Sequence, residues 1–141
     1  MSVKQLSIFA ENKIGSVCEI TKILLDAGIN IRAFSVADTQ SFGVLRLIVD
    51  DAKKAAFTLS EEGKILHVTD VIGGQMPDRE GGLNSILTIL ASENISVEYL
   101  YAFLSPKVGH AYVVLRVADN EATEKILLKN GITLITDEDL K

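Results

Sequence analysis

The sequence has little of what disulfide, redox and metal chemistry require. Its 141 residues include one cysteine, Cys18, and two histidines. A single cysteine forms neither an internal disulfide nor a CxxC motif, and we expect Cys18 to be a buried small hydrophobic residue in a helix. His67 and His110 have no cysteine or carboxylate at metal-ligand spacing. We therefore expect neither a metal nor a cofactor.

The sequence also lacks a basic cluster and a long apolar run. Lys and Arg number 14 against 19 Asp and Glu, which gives a formal net charge of −5. Nucleic acid and anionic membranes are therefore poor candidate partners. No apolar run approaches the ~20 residues that span a bilayer, and the N-terminal residues do not have the pattern of a signal peptide. We expect a soluble, cytoplasmic protein.

The chain contains an internal repeat at an offset of 66 residues. Gly28-Ile29-Asn30-Ile31 matches Asn94-Ile95-Ser96-Val97, and Leu24 matches Leu90. A loop is four residues longer in the second copy, after which Leu45-Arg46-Leu47 matches Leu115-Arg116-Val117. The period is too long for a solenoid repeat. It indicates a duplicated domain, with one copy in residues 1–70 and the other in residues 71–141.

Each copy is predicted to fold in the order strand, helix, strand, strand, helix, strand. In the first copy the predicted strands cover residues 3–9, 29–37, 44–49 and 64–71, and the helices cover 15–27 and 51–62. Residues 38–43 are predicted to form a hairpin connection. In the second copy the predicted strands cover residues 74–76, 95–104, 111–117 and 132–135, with a second helix at 121–129. The order βαββαβ with right-handed crossovers predicts an α+β, ferredoxin-like fold, with an antiparallel sheet and helices on one face.

The first helix of each copy has an apolar face and a defined end. Val17, Ile20, Leu24 and Ala27 recur at helical spacing, and the second copy repeats the face with Leu83, Ile86 and Leu90. The helix is expected to end at Gly28, because glycine tolerates the left-handed backbone that follows a helix. Asn94 stands at the matching position, and asparagine is the next most tolerant residue there.

The second strand of the second copy is apolar on both faces. Residues 95, 97, 99, 101 and 103 share one face, and Leu100, Ala102 and Leu104 share the other. An antiparallel sheet with helices on one face normally has a polar opposite face. We therefore expect the sheet of another copy, within the chain or in a homodimer, to cover this one.

The turn before the first helix has the chemistry of an amino-acid site. It has the sequence Glu11-Asn12-Lys13-Ile14-Gly15 in one copy and Pro77-Asp78-Arg79-Glu80-Gly81 in the other. A helix N-terminus offers unpaired N–H groups to a carboxylate, and a glycine lets the ligand approach the backbone. Asn12 or Asp78 offers an oxygen to an ammonium group. The same residues are equally consistent with turn or helix-capping roles, and the glycines with a tight turn.

The strand order, the Asn/Asp-x-x-Gly turn and the Gly-Ile-Asn-Ile that opens the second strand resemble the ACT domain family, over nearly the whole chain. The arrangement is similar to stand-alone tandem ACT proteins, which lack an attached enzyme. The resemblance implies amino-acid binding at an interface between ACT domains, between the turn and the start of the second strand. The ligand-binding residues that it implies are Asn12, Ile14, Gly15, Asn30 and Ile31, with a second set at Asp78, Glu80, Gly81, Ser96 and Val97.

The resemblance implies a regulatory sensor without catalytic activity. Its expected partners are a free amino acid and a second copy of the chain, with an enzyme of amino-acid metabolism as a further option. The main alternative is a structural dimerisation module that has lost ligand binding, because the family turn usually has a proline where this chain has Ile14 and Glu80.

Two other classes of function fit the sequence less well. An RNA-binding module with this strand order needs central aromatic residues and a basic surface. An enzyme needs a nucleophile with a base, paired carboxylates or a partnered histidine, and no such pairing is evident in the sequence.

Overall fold

The computed structural model describes residues 2–38 and 42–141. The chain divides into two compact units. The first unit is built from Lys4–Thr69 and takes in Leu140–Lys141, and the second is built from Asp70–Asp139 and takes in Val3. Residues 39–41 of the predicted hairpin lie outside the described residues.

The first unit is a small antiparallel sheet packed against two helices. Strand β3 is the central strand, pairing with β1 through Leu6↔Leu47 and with β2 through Phe34↔Leu47. Leu6, Ile8, Leu24, Leu47 and Leu59 are buried in its core. The elements are β1 (Val3–Glu11), α1 (Ser16–Asp26), β2 (Ile31–Asp38), β3 (Phe42–Val49), α2 (Ala52–Glu61) and the start of β4 (Leu66–Pro77).

The second unit repeats this arrangement. Strand β6 lies between β4 and β5, with the pairs Gly74↔Val113 and Ala102↔Val113, and β7 pairs with β4. Its core is formed by Ile72, Ile86, Leu90, Leu115 and Leu127, among other residues. The elements are the rest of β4, α3 (Gly82–Ser92), β5 (Tyr99–Leu104), β6 (His110–Arg116), α4 (Asn120–Lys129) and β7 (Leu134–Ile135), followed by a 3₁₀ turn at Asp137–Leu140. The predicted α+β, ferredoxin-like fold is confirmed.

The predicted ends of the first helices are confirmed in detail. Gly28 has φ +74° and Asn94 has φ +57°, so both adopt the left-handed conformation. The N–H of Ile29 donates to Leu24 O at 3.0 Å, and the N–H of Ile95 donates to Leu90 O at 2.9 Å. These hydrogen bonds form the same Schellman motif twice, with an apolar residue on each side of the cap.

Three of the four residues predicted on the apolar face of α1, Ile20, Leu24 and Ala27, belong to the core or pack against it, and Val17 does not. Ser16, Ile20 and Leu24 are buried, whereas Val17 is 37% exposed. The buried stripe therefore runs at i, i+4, i+8 from the first helical residue, which follows one side of a helix. Leu83 in α3 is likewise 37% exposed. Cys18 is exposed, so the prediction that it is buried is wrong.

The strand that joins the two halves is longer than predicted. The sequence predicts separate strands at residues 64–71 and 74–76, but β4 runs without a break from Leu66 to Pro77. A Cβ at Gly73 would clash with the side chain of Ile135, so this glycine makes room for β7 and does not break the strand. Within the described residues, no helix is long and apolar enough to cross a membrane.

Candidate functional site

The turn between β1 and α1 brings three of the predicted site residues together. Asn12, Ile14 and Gly15 follow the end of β1 directly, and Gly15 is the N-cap of α1 with φ +86°. The N-cap residue is Gly15 and not Asn12, and a glycine has no side chain that could accept from the first turn of α1. Ile14 is fully exposed. The turn therefore presents the uncapped N-terminus of an 11-residue helix beside an exposed asparagine.

The matching turn in the second unit has the same left-handed glycine before its helix, but it leaves less space at the first helical residue. The N-cap residue of α3 is Gly81, with φ +83°, and not Asp78. The N–H of Asp78 donates to Gly109 O at 2.8 Å. A Cβ at Gly82 would clash with Pro77 O, so only glycine fits at the first position of α3.

The other predicted residues of the first unit lie at the opposite end of its sheet. Glu11, next to the turn, pairs with Phe42 at the start of β3, whereas Ile31 pairs with Val49 at the end of β3. The N–H of Asn30 donates to Asp50 Oδ1 at 3.0 Å, and the Asn30 side chain is exposed. Asn30 and Ile31 are therefore separated from the turn by the length of β3, about 23 Å for eight residues.

The second unit separates its two groups of predicted residues in the same way. Pro77, which precedes the turn, pairs with His110 at the start of β6. Ser96 and Val97 precede β5, whose first residue Tyr99 pairs with Arg116 at the end of β6. Asp78, Glu80 and Gly81 are thus grouped at one end of the sheet, and Ser96 and Val97 at the other. Neither unit assembles the whole predicted site by itself.

A cavity of about 240 Å³ lies beside the first turn, inside the first unit. Its walls come from the end of β1, the first two turns of α1, the start of β3 and the loop after α2. The lining residues are Phe9, Ala10, Glu11, Lys13, Ser16, Glu19, Ile20, Phe42, Gly63, Lys64 and Ile65. None of the ten predicted site residues is among them.

The cavity combines a buried hydroxyl with two ion pairs. Ser16 is 8% exposed, and its buried Oγ has no hydrogen-bond partner among the residues that the structure describes. Lys64 Nζ lies 2.8 Å from Glu19 Oε1, and Lys13 Nζ lies 3.2 Å from Glu11 Oε2. The hydrogen bond and charge of Lys64 lower the pKa of Glu19, and the charge of Lys13 lowers it further, while desolvation acts in the opposite direction. Glu19 is therefore an anion at neutral pH.

An aromatic pair forms part of the apolar wall. The rings of Phe9 and Phe42 meet edge to face, with their centroids 5.5 Å apart. Ile20 is buried on the α1 side of the cavity. The cavity therefore offers an apolar surface beside its charged groups.

Comparison with known proteins identifies the family. A family model described as an ACT domain pair matches residues 1–141. The chain belongs to the ACT domain-pair family. The ACT pair is similar to the crystal structure of protein BT0572 from Bacteroides thetaiotaomicron, with 36% sequence identity and a TM-score of 0.92 over 99% of this chain and 96% of that chain.

More distant structures share the fold of this ACT pair. The regulatory subunit of aspartate kinase from Thermus thermophilus is 14% identical, with a TM-score of 0.65 over 89% of this chain and 90% of that chain. The corresponding subunit from Thermus flavus is 14% identical, with a TM-score of 0.61 over 89% of this chain and 88% of that chain. A search of curated proteins found no significant match. Membership of the ACT domain-pair family supports a regulatory role in amino-acid sensing.

The sequence did not predict the cavity of this ACT pair, because the site residues were chosen at positions where the two copies are alike. Its three central polar residues are positions where the copies differ. Ser16 corresponds to Gly82, and Glu19 corresponds to Ser85. Lys64 corresponds to Ile132, because each follows the glycine that ends the second helix of its copy, at residue 63 or 131. The signal that could have found this cavity was the difference between the copies.

Proposed function

We propose that this ACT pair is a non-catalytic regulatory protein that binds a free amino acid. Family membership supports this role, and so does the likeness in fold to regulatory subunits of aspartate kinase. We assign one ACT domain to residues 1–70 and the other to residues 71–141. An enzyme of amino-acid metabolism is the partner class that would read the bound state.

The observation that carries the proposal is the uncapped start of α1 next to Asn12. The first-turn N–H groups of a helix and its partial positive charge favour a carboxylate. The Asn12 side chain carries a carbonyl oxygen that can accept a hydrogen bond from an ammonium group. These two groups, side by side, match the two ends of a free α-amino acid. Asp78 and the start of α3 offer the same chemistry in the second unit, where Glu80 adds a negative charge.

Because Asn30 and Ile31 lie at the far end of the sheet from the turn, we propose that the site forms between the ACT domains of two chains. The turn of one chain then meets the start of β2 of its partner. Exposed apolar residues on strands β2 and β5 support such a homodimer: Phe34 is 70% exposed and Leu104 is 90% exposed. Exposed apolar surface of this kind favours association.

Asn12→Ala tests the assignment. The substitution is expected to weaken the binding of the cognate amino acid about ten-fold or more, because a hydrogen bond to a charged group contributes about 1.5–3 kcal/mol. The protein is expected to stay folded, because a turn or cap interaction contributes only about 0.5–2 kcal/mol. Isothermal titration calorimetry gives the affinity, and Asn130→Ala, an exposed asparagine of the second unit, is the matched control. An unchanged affinity of Asn12→Ala would show that the turn is not the site.

The alternative function is a dimerisation module without a ligand. The exposed Ile14 and Glu80, which stand where the family turn has proline, favour it. This alternative predicts a stable dimer to which no amino acid binds.

A further inference from the structure

The cavity of the first unit has a polar lining that the second unit does not repeat. Ser16, Glu19 and Lys64 line it, and the corresponding residues of the second unit are Gly82, Ser85 and Ile132. Ile132 packs against the apolar core of its unit. A hydroxyl side chain is impossible at residue 82 without a shift, because its Cβ would clash with Pro77 O. The two copies therefore differ in this region, although they share a fold.

We propose that this cavity is a second small-molecule site, distinct from the turn between two chains, that binds one zwitterionic amino acid with an apolar side chain per chain. The volume of about 240 Å³ lies just below the range of roughly 300–1,000 Å³ that is typical of ligand pockets, which suits a metabolite smaller than a drug. The proposal goes beyond the amino-acid sensor described above, because it concerns different residues.

The charges of the lining select a zwitterion. Two cations, Lys13 and Lys64, balance two anions, Glu11 and Glu19, so the lining has no net charge to attract a simple anion or cation. A ligand that carries both a carboxylate and an ammonium replaces both halves of the Lys64–Glu19 pair at once. Its carboxylate binds Lys64 and its ammonium binds Glu19. A ligand with only one charge engages only one of these two protein groups and makes one charge-assisted hydrogen bond fewer.

The buried hydroxyl of Ser16 gives an independent reason to expect a ligand. A buried polar group without a hydrogen bond costs about 1–3 kcal/mol, so such groups are uncommon in native proteins. A carboxylate held by Lys64 would accept the hydrogen bond that Ser16 Oγ lacks. Phe9, Ile20 and Phe42 would contact the apolar side chain.

The backbone around the cavity is fixed before a ligand binds. The N–H of Lys64 donates to Leu59 O at 3.0 Å in the cap of α2, and the N–H of Phe9 donates to Ile65 O at 3.0 Å. These bonds hold the loop after α2 against β1. Preorganisation of this kind lowers the entropy cost of binding.

The test is a methyl NMR titration of the full chain with L-alanine, L-valine and L-leucine. The Ile20 and Ile65 methyl groups line the cavity, and the Ile86 methyl group, at the position in α3 that matches Ile20, is the internal control. Isovalerate and isobutylamine are the probes that retain only the carboxylate or only the ammonium of valine. We expect saturable shifts of Ile20 and Ile65 with at least one amino acid and binding at least ten-fold weaker for both single-charge probes.

Two pairs of variants locate the site. Ser16→Ala is expected to weaken binding about ten-fold without loss of stability, since it removes a hydroxyl that has no partner. Lys64→Ile, which introduces the residue of the second unit, is expected to weaken binding about 100-fold. Ser85→Ala and Lys125→Gln are the matched controls, and both are expected to bind normally.

The proposal is overturned if none of the three amino acids shifts the methyl signals of Ile20 and Ile65, or if the Ile86 signal shifts equally. It is also overturned if a single-charge probe binds as tightly as valine, or if the variants Ser16→Ala and Lys64→Ile bind the amino acid normally. These outcomes can be distinguished from a failure of the proposed amino-acid site at the turn. An amino acid whose binding depends on Asn12 but leaves Ile20 unshifted would retain the sensor and reject the cavity.

Discussion

At the residue scale, the two units differ at the first position of their first helices. Residue 16 is a buried serine and residue 82 is a glycine, although both follow a left-handed glycine. The difference is steric, because Pro77 O occupies the space that a side chain at residue 82 would need. The exchange of one small residue for another therefore decides which unit has a hydroxyl at the first position of its first helix.

Gly82→Ser is expected to destabilise the protein by about 1–3 kcal/mol, because the new side chain would overpack against backbone that cannot easily move. The reciprocal change, Ser16→Gly, is expected to cost about 1 kcal/mol or less, from backbone entropy alone. Urea unfolding of both variants measures the difference. Equal stability of wild type and Gly82→Ser would contradict the steric account.

Sequence reasoning found only part of the candidate site at this scale. It identified the turn residues Asn12 and Gly15, because the residue types and the helix start are readable from the chain. It missed Ser16 and Lys64, which are 48 positions apart in sequence and meet at one cavity only through the fold. The burial of a lone serine hydroxyl has no signature in a single sequence.

At the element scale, the ends of the helices follow from local backbone requirements. Gly28 and Asn94 differ chemically and satisfy the same left-handed position. A residue with a Cβ and no compensating side chain costs about 1–2 kcal/mol there. Such requirements act within a few residues, so the sequence predicts them well.

Gly28→Ala is therefore expected to lower the free energy of unfolding by about 1 kcal/mol. Gly28→Asn is expected to lower it clearly less, because an asparagine, Asn94, already occupies the matching position of the second unit. Chemical denaturation of the two variants side by side checks the order. If the asparagine variant were the less stable of the two, the equivalence of the two helix ends would be refuted.

The strand boundaries that were predicted wrongly depend on partner strands that are distant in the sequence. The apolar alternation from Ile95 predicts an early start of β5, but the first residue pair is Tyr99↔Arg116, where β6 ends. The sequence predicts separate strands at residues 64–71 and 74–76, but β4 continues through the glycines at 73 and 74 because β6 and β7 both pair with it there. Strand limits depend on the partner strands, and local propensity does not contain that information.

At the scale of the whole molecule, the proposed homodimer depends on exposed apolar strand residues. Phe34→Glu on β2 is expected to shift the protein from dimer to monomer, because burial of a charge at an interface is unfavourable. Phe57→Glu is the matched control, since Phe57 is 67% exposed, close to the 70% of Phe34, but lies on α2. Sedimentation velocity distinguishes the two states. A Phe34→Glu variant that remained dimeric would exclude this strand from the interface.

The central claim is that this ACT domain pair binds a free amino acid, and a thermal-shift screen of the purified protein against the twenty amino acids tests it most directly. A ligand at about 100 times its Kd stabilises the folded state by about 2.7 kcal/mol, which raises Tm by roughly 5–10 °C for a chain of this size. The account predicts such a rise for one amino acid or one chemical class. A flat result across all twenty would contradict the sensor and favour the dimerisation module.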